Sequence, residues 1–215
     1  MMPERIPLDR LIAPGNGHLM YDIASQIARG AVFVYPTETI YGIGGSTQVA
    51  SVHSAIYEAK KRPASNPMIH LAGKNSVFNE VLDNTPDAGH YLTKKFWPGL
   101  LTIVVTSESN PDGTAIRVSD HPFISMLYNY ADFPIYSTSA NVSGEQYNPD
   151  PDYIFSSLRN GIDFMIDAGH LPPSPPSTVI KFTDSCTVKV LREGVLTKTV
   201  IADALHSGGY SVTVG

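Results

Sequence analysis

The fold is decided by residues 20–37, which read MYDIASQIARGAVFVYPT. Ile23 and Ile27, with alanines beside them, have the spacing of one face of a helix, and Gly30 is typical of a left-handed helix end. Residues 31–35 are apolar, β-branched or aromatic without polar alternation, which predicts a strand buried on both faces. We therefore expect a helix over the first ten residues of this stretch, followed at once by a buried strand.

Short strand-like and helix-like segments alternate along the rest of the chain. Val52, Ile56 and Ala59 have helical spacing, and Pro63 ends the helix that they predict. Further strands are predicted at residues 67–71, 101–106, 115–118, 134–138, 164–166, 177–182 and 187–191, and helices at residues 87–96, 122–130, 150–158 and 200–205. Because the order has no strict βαβ rhythm, we expect an α/β protein with a mixed sheet.

Composition narrows the function classes. A chain of 215 residues that is 42% hydrophobic can bury one large core, and we expect a single domain over residues 1–215. The net charge of −5 argues against a uniformly basic nucleic-acid binder but leaves a local basic cleft open. The single cysteine excludes an internal disulfide and a cysteine zinc cluster, and the longest apolar runs are strand-sized. We expect a cytoplasmic protein without a signal peptide or membrane span.

A basic segment, Lys60-Lys61-Arg62, lies at the end of a predicted helix. Cations suit the negative end of the helix dipole, so capping by solvated side chains is the simpler interpretation of this segment alone. The alternative is an anion-binding site that uses Lys60 and Arg62.

Two hydroxyl-rich segments each follow a predicted strand. Residues 36–39 read PTET, and residues 137–144 read STSANVSG. Small side chains let the phosphates of a ligand approach main-chain N–H groups, whereas the competing interpretation is an ordinary Ser/Asx turn. Neither segment decides between these alternatives by itself.

Three further side chains have two interpretations each. Arg117 lies in a short apolar strand, where burial requires an anionic ligand or a protein partner. His70 fits a structural histidine better than a metal ligand, and Trp97, beside Pro98, is expected to pack in the core in preference to lining a pocket. No P-loop, HExxH or GxSxG motif is present, and residues 42–47, GIGGST, lack the third glycine of a dinucleotide fingerprint.

The order and spacing of these segments resemble the YrdC/Sua5 family across about residues 20–195. The matching residues are Thr37, Lys60, Arg62, Asn66, Pro67, His70, residues 96–99 (FWPG), Arg117, residues 139–141 (SAN), residues 177–179 (STV) and residues 192–194 (REG). The resemblance implies a twisted mixed sheet with flanking helices around a central cleft. It also implies synthesis of L-threonylcarbamoyl-AMP and pyrophosphate from L-threonine, bicarbonate and ATP, for the tRNA modification t6A.

The same resemblance assigns roles to residues. Lys60 and Arg62 would be the catalytic pair, and the ATP-binding set would be Lys60, Arg62, Asn66, Ser139, Asn141 and Arg192. Threonine would be bound by Thr37, His70, Arg117, Ser137 and Ser177. Mg²⁺ would accompany ATP without a dedicated protein metal site. A separate threonylcarbamoyl transferase would receive the product, and contact with RNA or tRNA stays open.

Three features depart from the family pattern. Tyr147 stands where many relatives have a small serine that helps to bind nucleotide, and Lys61 replaces a common glycine. The chain continues for about twenty residues beyond Gly194, so we expect no C-terminal Sua5 domain. Two alternatives to the synthase therefore remain, a divergent YciO-like paralogue with another substrate and a non-catalytic RNA-binding protein.

Overall fold

The chain divides into two units, each assembled from two separate segments. Unit 1 comprises residues 1–68 and 121–173, and unit 2 comprises residues 69–120 and 174–215. The structure, a computed structural model, describes residues 2–62, 67–73, 84–108 and 110–215.

Strands and helices are numbered in chain order over the described residues. The strands are β1 (Glu4–Pro7), β2 (Phe33–Tyr35), β3 (Gly42–Ser46), β4 (Ile69–Leu71), β5 (Leu101–Ser107), β6 (Asn110–Arg117), β7 (Ile135–Ser139), β8 (Phe164–Asp167), β9 (Thr178–Asp184), β10 (Thr187–Arg192) and β11 (Thr213–Val214). The helices are α1 (Leu8–Ile12), α2 (Gly17–Ala28), α3 (Ala50–Lys60), α4 (Asp87–Phe96), α5 (Pro122–Leu127), α6 (Pro151–Leu158) and α7 (Lys198–Ser207).

In unit 1 the strands have the order β1-β8-β2-β3-β7. The first three are parallel to one another, and β3 is antiparallel to both of its neighbours. Val34 and Ile43 on the central strands pack with Val52 and Ile56 of α3 and with Ile154 of α6. This core fixes the end of α3 against the strands that carry the hydroxyl-rich segments.

Helix α2 confirms the helix predicted from the opening stretch, although it begins three residues earlier, at Gly17. Ile23 and Ile27 are buried as their spacing predicts. Gly30 has a φ of 104°, a left-handed conformation that glycine adopts without a steric penalty. The chain then enters β2, whose three residues are all buried.

In unit 2 the strand order is β4-β6-β5-β9-β10-β11. Strands β5 and β9 are parallel, whereas β5 with β6 and β9 with β10 are antiparallel. Leu92 of α4 and Ile201 of α7 are buried in the same core as Ile103. Trp97 is also part of this core, and its indole N–H donates to the Leu101 oxygen at 2.6 Å, which confirms the packing interpretation.

Both units therefore combine helices with a sheet of mixed strand direction, and the predicted mixed α/β class is confirmed. The sequence did not predict β1, β3, β11 or α1. In the described part of the chain, no helix is both long and apolar enough to cross a membrane.

Candidate functional site

The side chain of Lys60 holds the turn that follows β7. Lys60 is the last residue of α3 and is only 1% exposed. Its Nζ donates to the main-chain oxygens of Ser139 and, at 2.6 Å, of Asn141. In return, the Ser143 N–H donates to the Lys60 oxygen at 2.8 Å. The interpretation of Lys60 as a solvated cap was therefore wrong, because this side chain lies inside the protein and shapes the turn.

Burial also changes the acid–base chemistry of Lys60. Removal from water, followed in importance by the positive charge of Arg62, lowers the pKa of Lys60 to about 7. Both the ammonium and the neutral amine have N–H groups for the two carbonyl acceptors. Lys60 can therefore exchange a proton near neutral pH without giving up its hold on the turn.

Arg62 lies two residues beyond α3, and its side chain contacts β7. Its Nη1 donates to Thr138 Oγ1 at 3.2 Å, and its Nη2 donates to the Pro67 oxygen at 3.0 Å. The guanidinium carbon also lies 6.0 Å from the centre of the Tyr57 ring, which permits a cation–π interaction. These contacts fix the Arg62 charge beside the same turn that Lys60 holds.

Ser139 and Asn141 are joined within that turn. Ser139 Oγ donates to Asn141 Oδ1 at 2.6 Å, and Asn141 Nδ2 donates to the oxygens of Val142 and Glu145 at 3.1 and 2.8 Å. Two of the predicted nucleotide residues, Ser139 and Asn141, are therefore brought together in one hydrogen-bonded turn. We call residues 139–141 the serine turn.

Thr37 organises a second turn in unit 1. Its hydroxyl oxygen accepts from the N–H groups of Thr39 and Ile40, both at 3.2 Å, and donates to the Ile40 oxygen at 2.7 Å. The side chain is buried, at 6% exposed. We call residues 37–40 the threonine turn, since Thr37 defines its shape.

Tyr41 connects the two turns. Its oxygen accepts from the Ala140 N–H at 2.9 Å, and its own N–H donates to the Tyr147 hydroxyl at 2.9 Å. The Tyr41 hydroxyl donates to the Gly169 oxygen at 2.7 Å and accepts from the Ala168 N–H at 2.9 Å. The tyrosine is completely buried, and burial raises its pKa to about 12, so the hydroxyl keeps its proton.

Ser137 lies on β7 directly opposite Gly44 of β3. The residue is buried, at 9% exposed. A Cβ on Gly44 would lie 1.9 Å from the Tyr136 oxygen, so only glycine lets the two strands approach this closely.

The predicted residues of unit 2 form a separate set. Arg117, at the end of β6, is 5% exposed, and its Nε donates to the Gly99 oxygen at 2.9 Å. His70 lies on the adjacent parallel strand, where its neighbour Leu71 pairs with Arg117. Arg117 is therefore buried, which is the condition under which its strand position requires a ligand or a protein partner.

Ser177 accepts hydrogen bonds from Arg192, the second arginine of unit 2. The Nε and Nη2 of Arg192 donate to the Ser177 oxygen at 3.2 and 2.9 Å, and Nη2 also contacts Ser177 Oγ at 3.1 Å. Ser177 Oγ in turn shares a hydrogen bond of 2.9 Å with the hydroxyl of Thr102. Burial lowers the pKa of Arg192, and the positive charge of Arg117 lowers it further. The two guanidinium groups therefore make this part of unit 2 electrostatically positive.

Asn66 lies outside the described residues. Tyr41 and Thr102 were not predicted from sequence as members of the site, because each contacts a predicted residue or its turn through a partner distant in sequence. Thr138 was noted only as part of a hydroxyl-rich segment and Tyr147 only as a departure from the family pattern, so their contacts with Arg62 and Tyr41 were not predicted.

The family profile Sua5_yciO_yrdC, described as telomere recombination, matches residues 25–194. The threonylcarbamoyl-AMP synthase of Bacillus subtilis is 31% identical over 187 residues, which cover 83% of this chain and 54% of the relative. The enzyme of that name from Pyrococcus abyssi is 35% identical over 183 residues, with coverages of 80% and 53%. The chain thus spans about half the length of these two relatives.

A shorter relative from Methanocaldococcus jannaschii, named putative threonylcarbamoyl-AMP synthase, is 31% identical over 181 residues. The match covers 81% of this chain and 84% of that protein. Among solved structures, Pyrococcus abyssi Sua5 complexed with L-threonine has a TM-score of 0.83 at 26% identity, covering 100% of this chain and 63% of Sua5. Escherichia coli YciO, at 24% identity, shares the fold with a TM-score of 0.73, covering 89% of this chain and 95% of YciO.

The profile covers most of the chain, including both turns of unit 1 and the two arginines of unit 2. On this match, the chain belongs to the Sua5/YciO/YrdC family.

Proposed function

We propose that this chain forms L-threonylcarbamoyl-AMP and pyrophosphate from L-threonine, bicarbonate and ATP, as part of tRNA t6A synthesis. The observation that carries the proposal is the serine turn, which the buried Lys60 holds beside Arg62. Relatives named threonylcarbamoyl-AMP synthase support the choice of reaction. In this proposal residues 1–215 act as one YrdC-like domain, to which both units contribute residues.

ATP is the ligand that we assign to the cationic residues. The proposed ATP-binding residues are Lys60, Arg62, Asn66, Ser139, Asn141 and Arg192. Guanidinium groups match phosphate oxygens in geometry and charge. Within the described part of the chain, Nη1 of Arg192 donates to no protein atom, which leaves it available to an anionic ligand.

Threonine is assigned to a more buried set of residues. The proposed residues are Thr37, His70, Arg117, Ser137 and Ser177. Arg117 is the natural partner of the substrate carboxylate, because a buried guanidinium binds a carboxylate more strongly than an exposed one does. The small hydroxyl side chains of Thr37, Ser137 and Ser177 suit a ligand with its own hydroxyl and amine.

The chemistry needs no covalent enzyme intermediate. The threonine amine attacks bicarbonate and water leaves, which gives a carbamate. A carbamate oxygen then attacks the α-phosphorus of ATP, the bond from that phosphorus to the bridging oxygen breaks, and pyrophosphate leaves. The protein orients the reactants and stabilises the negative charge, with Lys60 and Arg62 as the proposed catalytic pair.

Mg²⁺ accompanies ATP in this proposal. In the described ranges, no group of three or more His, Cys, Asp and Glu side chains could hold a metal ion. The hydroxyl and amide oxygens of the serine turn suit an ion that is held mainly by phosphate oxygens and water. Bound in this way, Mg²⁺ would neutralise part of the triphosphate charge.

The product is a mixed anhydride of a carbamate and a phosphate, so a transferase that acts on tRNA must consume it before water does. We assign the reaction to the cytoplasm, where ATP and tRNA are available.

Pyrophosphate release from ATP and bicarbonate, with and without L-threonine, tests the proposal. We expect threonine-dependent release by the unaltered chain and its loss, by about 100-fold or more, in Lys60→Met and Arg117→Ala. Lys94→Met and Arg10→Ala are the controls, because both side chains are exposed, and they should retain activity.

Absence of threonine-dependent release by the folded chain would refute the proposal. Release with another amino acid would favour the divergent paralogue. Salt-sensitive RNA binding without ATP or threonine binding would favour the RNA-binding alternative.

A further inference from the structure

Tyr41 is held through both of its main-chain polar groups. The Ala140 N–H donates to its oxygen, and its own N–H donates to the Tyr147 hydroxyl, each at 2.9 Å. Because Tyr41 is completely buried, no water can replace either partner. Tyr147 therefore supplies an acceptor from a side chain that lies 106 residues away in sequence.

Tyr41 lies between the two turns of unit 1, because it follows Ile40 in the chain and its oxygen accepts from Ala140. The threonine turn ends at Ile40, whose N–H and oxygen both bond to Thr37. The serine turn contains Ala140, and its flanking oxygens accept from Lys60. Hydrogen bonds and the peptide bonds between neighbouring residues thus connect Thr37 through Tyr41 to Lys60.

Packing fixes where the Tyr147 hydroxyl can lie. Its ring packs against the core of unit 1 that contains Tyr41 and Ala140. The chain between Asn141 and Tyr147 is also fastened, since Asn141 Nδ2 donates to the Glu145 oxygen at 2.8 Å. Burial raises the pKa of Tyr147, so the hydroxyl stays neutral and accepts the Tyr41 N–H as a phenol.

We propose that Tyr147 is a positioning residue, whose hydroxyl holds Tyr41 so that binding at the serine turn and binding at the threonine turn reinforce each other. This inference rests on the proposed function, in which nucleotide binds at the first turn and L-threonine at the second. Without the Tyr147 hydroxyl, the Tyr41 oxygen keeps its hydrogen bond from Ala140, but the Tyr41 N–H, which follows the threonine turn in the chain, loses its acceptor. A ligand at one turn then restrains the other turn less.

The test measures L-threonine binding by calorimetry, with and without α,β-methylene-ATP, whose α–β linkage resists cleavage. We expect the nucleotide to tighten threonine binding by about 5-fold or more in the unaltered chain, a typical coupling between sites. In Tyr147→Phe the factor should fall below about 2-fold, and by linkage threonine should lose its effect on nucleotide affinity to the same extent.

Tyr21→Phe is the matched control, because Tyr21 is 61% exposed on α2. It should retain full coupling. A purely structural role of the Tyr147 hydroxyl would lower the melting temperature but leave the coupling factor unchanged, and that result would overturn the proposal. If the unaltered chain binds neither ligand, the proposed function itself fails.

Amide hydrogen exchange of the unaltered chain covers the case in which Tyr147→Phe does not fold. Addition of α,β-methylene-ATP alone should slow exchange at least about 5-fold across residues 37–41, and threonine alone should slow it across residues 139–147. Protection confined to the turn that each ligand occupies would overturn the proposal.

Discussion

The Lys60 ammonium and the main-chain oxygen of Asn141 are joined by a hydrogen bond of 2.6 Å. Because Lys60 ends α3 and Asn141 follows β7, this bond ties the end of a helix to the end of a strand 81 residues later. It also places an ionisable amine inside the protein, where the charged form is costly and the pKa is lowered to about 7. Burial of Lys60 therefore lowers the stability of the fold most at a pH where the folded chain must bind the proton.

Stability should depend on pH through Lys60. Its pKa is 10.5 in the unfolded chain and about 7 in the folded one. Between these values the unfolded chain binds more protons, so the free energy of unfolding should rise with pH, by at most about 1.4 kcal/mol per pH unit. Below about pH 7 both states hold the proton, and the dependence should vanish.

Urea unfolding of the unaltered chain and of Lys60→Met, from pH 6 to pH 10, measures this effect. Methionine keeps the side-chain length without the titrating group, so the difference between the two curves isolates Lys60. A constant difference over this range would contradict the prediction.

Replacement of Lys61 by glycine should stabilise the protein. Lys61 has a φ of 50°, a left-handed conformation that costs a non-glycine residue roughly 1 kcal/mol. Glycine avoids that cost but loses more chain entropy on folding, so we expect a net gain of about 0.5 kcal/mol in the free energy of unfolding. Thermal unfolding measures it. Lys94→Gly, inside α4, should instead lose about 1 kcal/mol, and the same sign for both would refute the explanation.

Thr178 should be critical for the segment that follows Arg192. Its hydroxyl donates to the Leu196 oxygen at 2.6 Å and accepts from the N–H groups of Gly194 and Leu196, both at 3.0 Å. Thr178→Val keeps the shape but leaves these groups without the partner, so the free energy of unfolding should fall by about 3 kcal/mol. Chemical unfolding checks this value. Thr183→Val, on the exposed end of β9, should change it by less than about 0.5 kcal/mol, and equal losses would count against the role of burial.

The local sequence pattern was sufficient to predict a segment when the burial of that segment depends on its own residues. Helix α4 spans residues 87–96 as predicted, and Arg117 is buried because apolar neighbours surround it in the strand. The position of Lys60 at a helix end was likewise predicted. Its burial was not, since the acceptors that make burial tolerable belong to Ser139 and Asn141.

Strand β3 is an element that could not be predicted from its own sequence. Gly42, Gly44 and Gly45 have low strand propensity, so the segment was compared with a nucleotide fingerprint and not predicted as a strand. These glycines are required by neighbours, because a Cβ on Gly45 would lie 2.7 Å from the Ala31 oxygen. The bond between Tyr41 and Tyr147 is similar, as it depends on tertiary packing between distant segments.

Thr102 and Ser177 should behave as an energetically coupled pair. Their hydroxyls share a hydrogen bond of 2.9 Å, and both residues are buried, at 0% and 1% exposed. Ser177→Ala or Thr102→Val alone leaves one buried hydroxyl without its partner and should cost about 1–3 kcal/mol of unfolding free energy. The double variant removes both hydroxyls, so its cost should be at least about 0.5 kcal/mol less than the sum.

The same three variants also separate stability from binding. Ser177 belongs to the proposed threonine-binding residues and its Oγ accepts from Arg192 Nη2 at 3.1 Å, whereas Thr102 is not one of those residues. L-threonine affinity measured by calorimetry should therefore fall in Ser177→Ala and in the double variant, by about 10-fold, and by less than about 3-fold in Thr102→Val. Ser185→Ala, on an exposed turn, controls for the loss of a hydroxyl. Equal losses of affinity in both single variants would assign the effect to altered packing and not to the Ser177 hydroxyl.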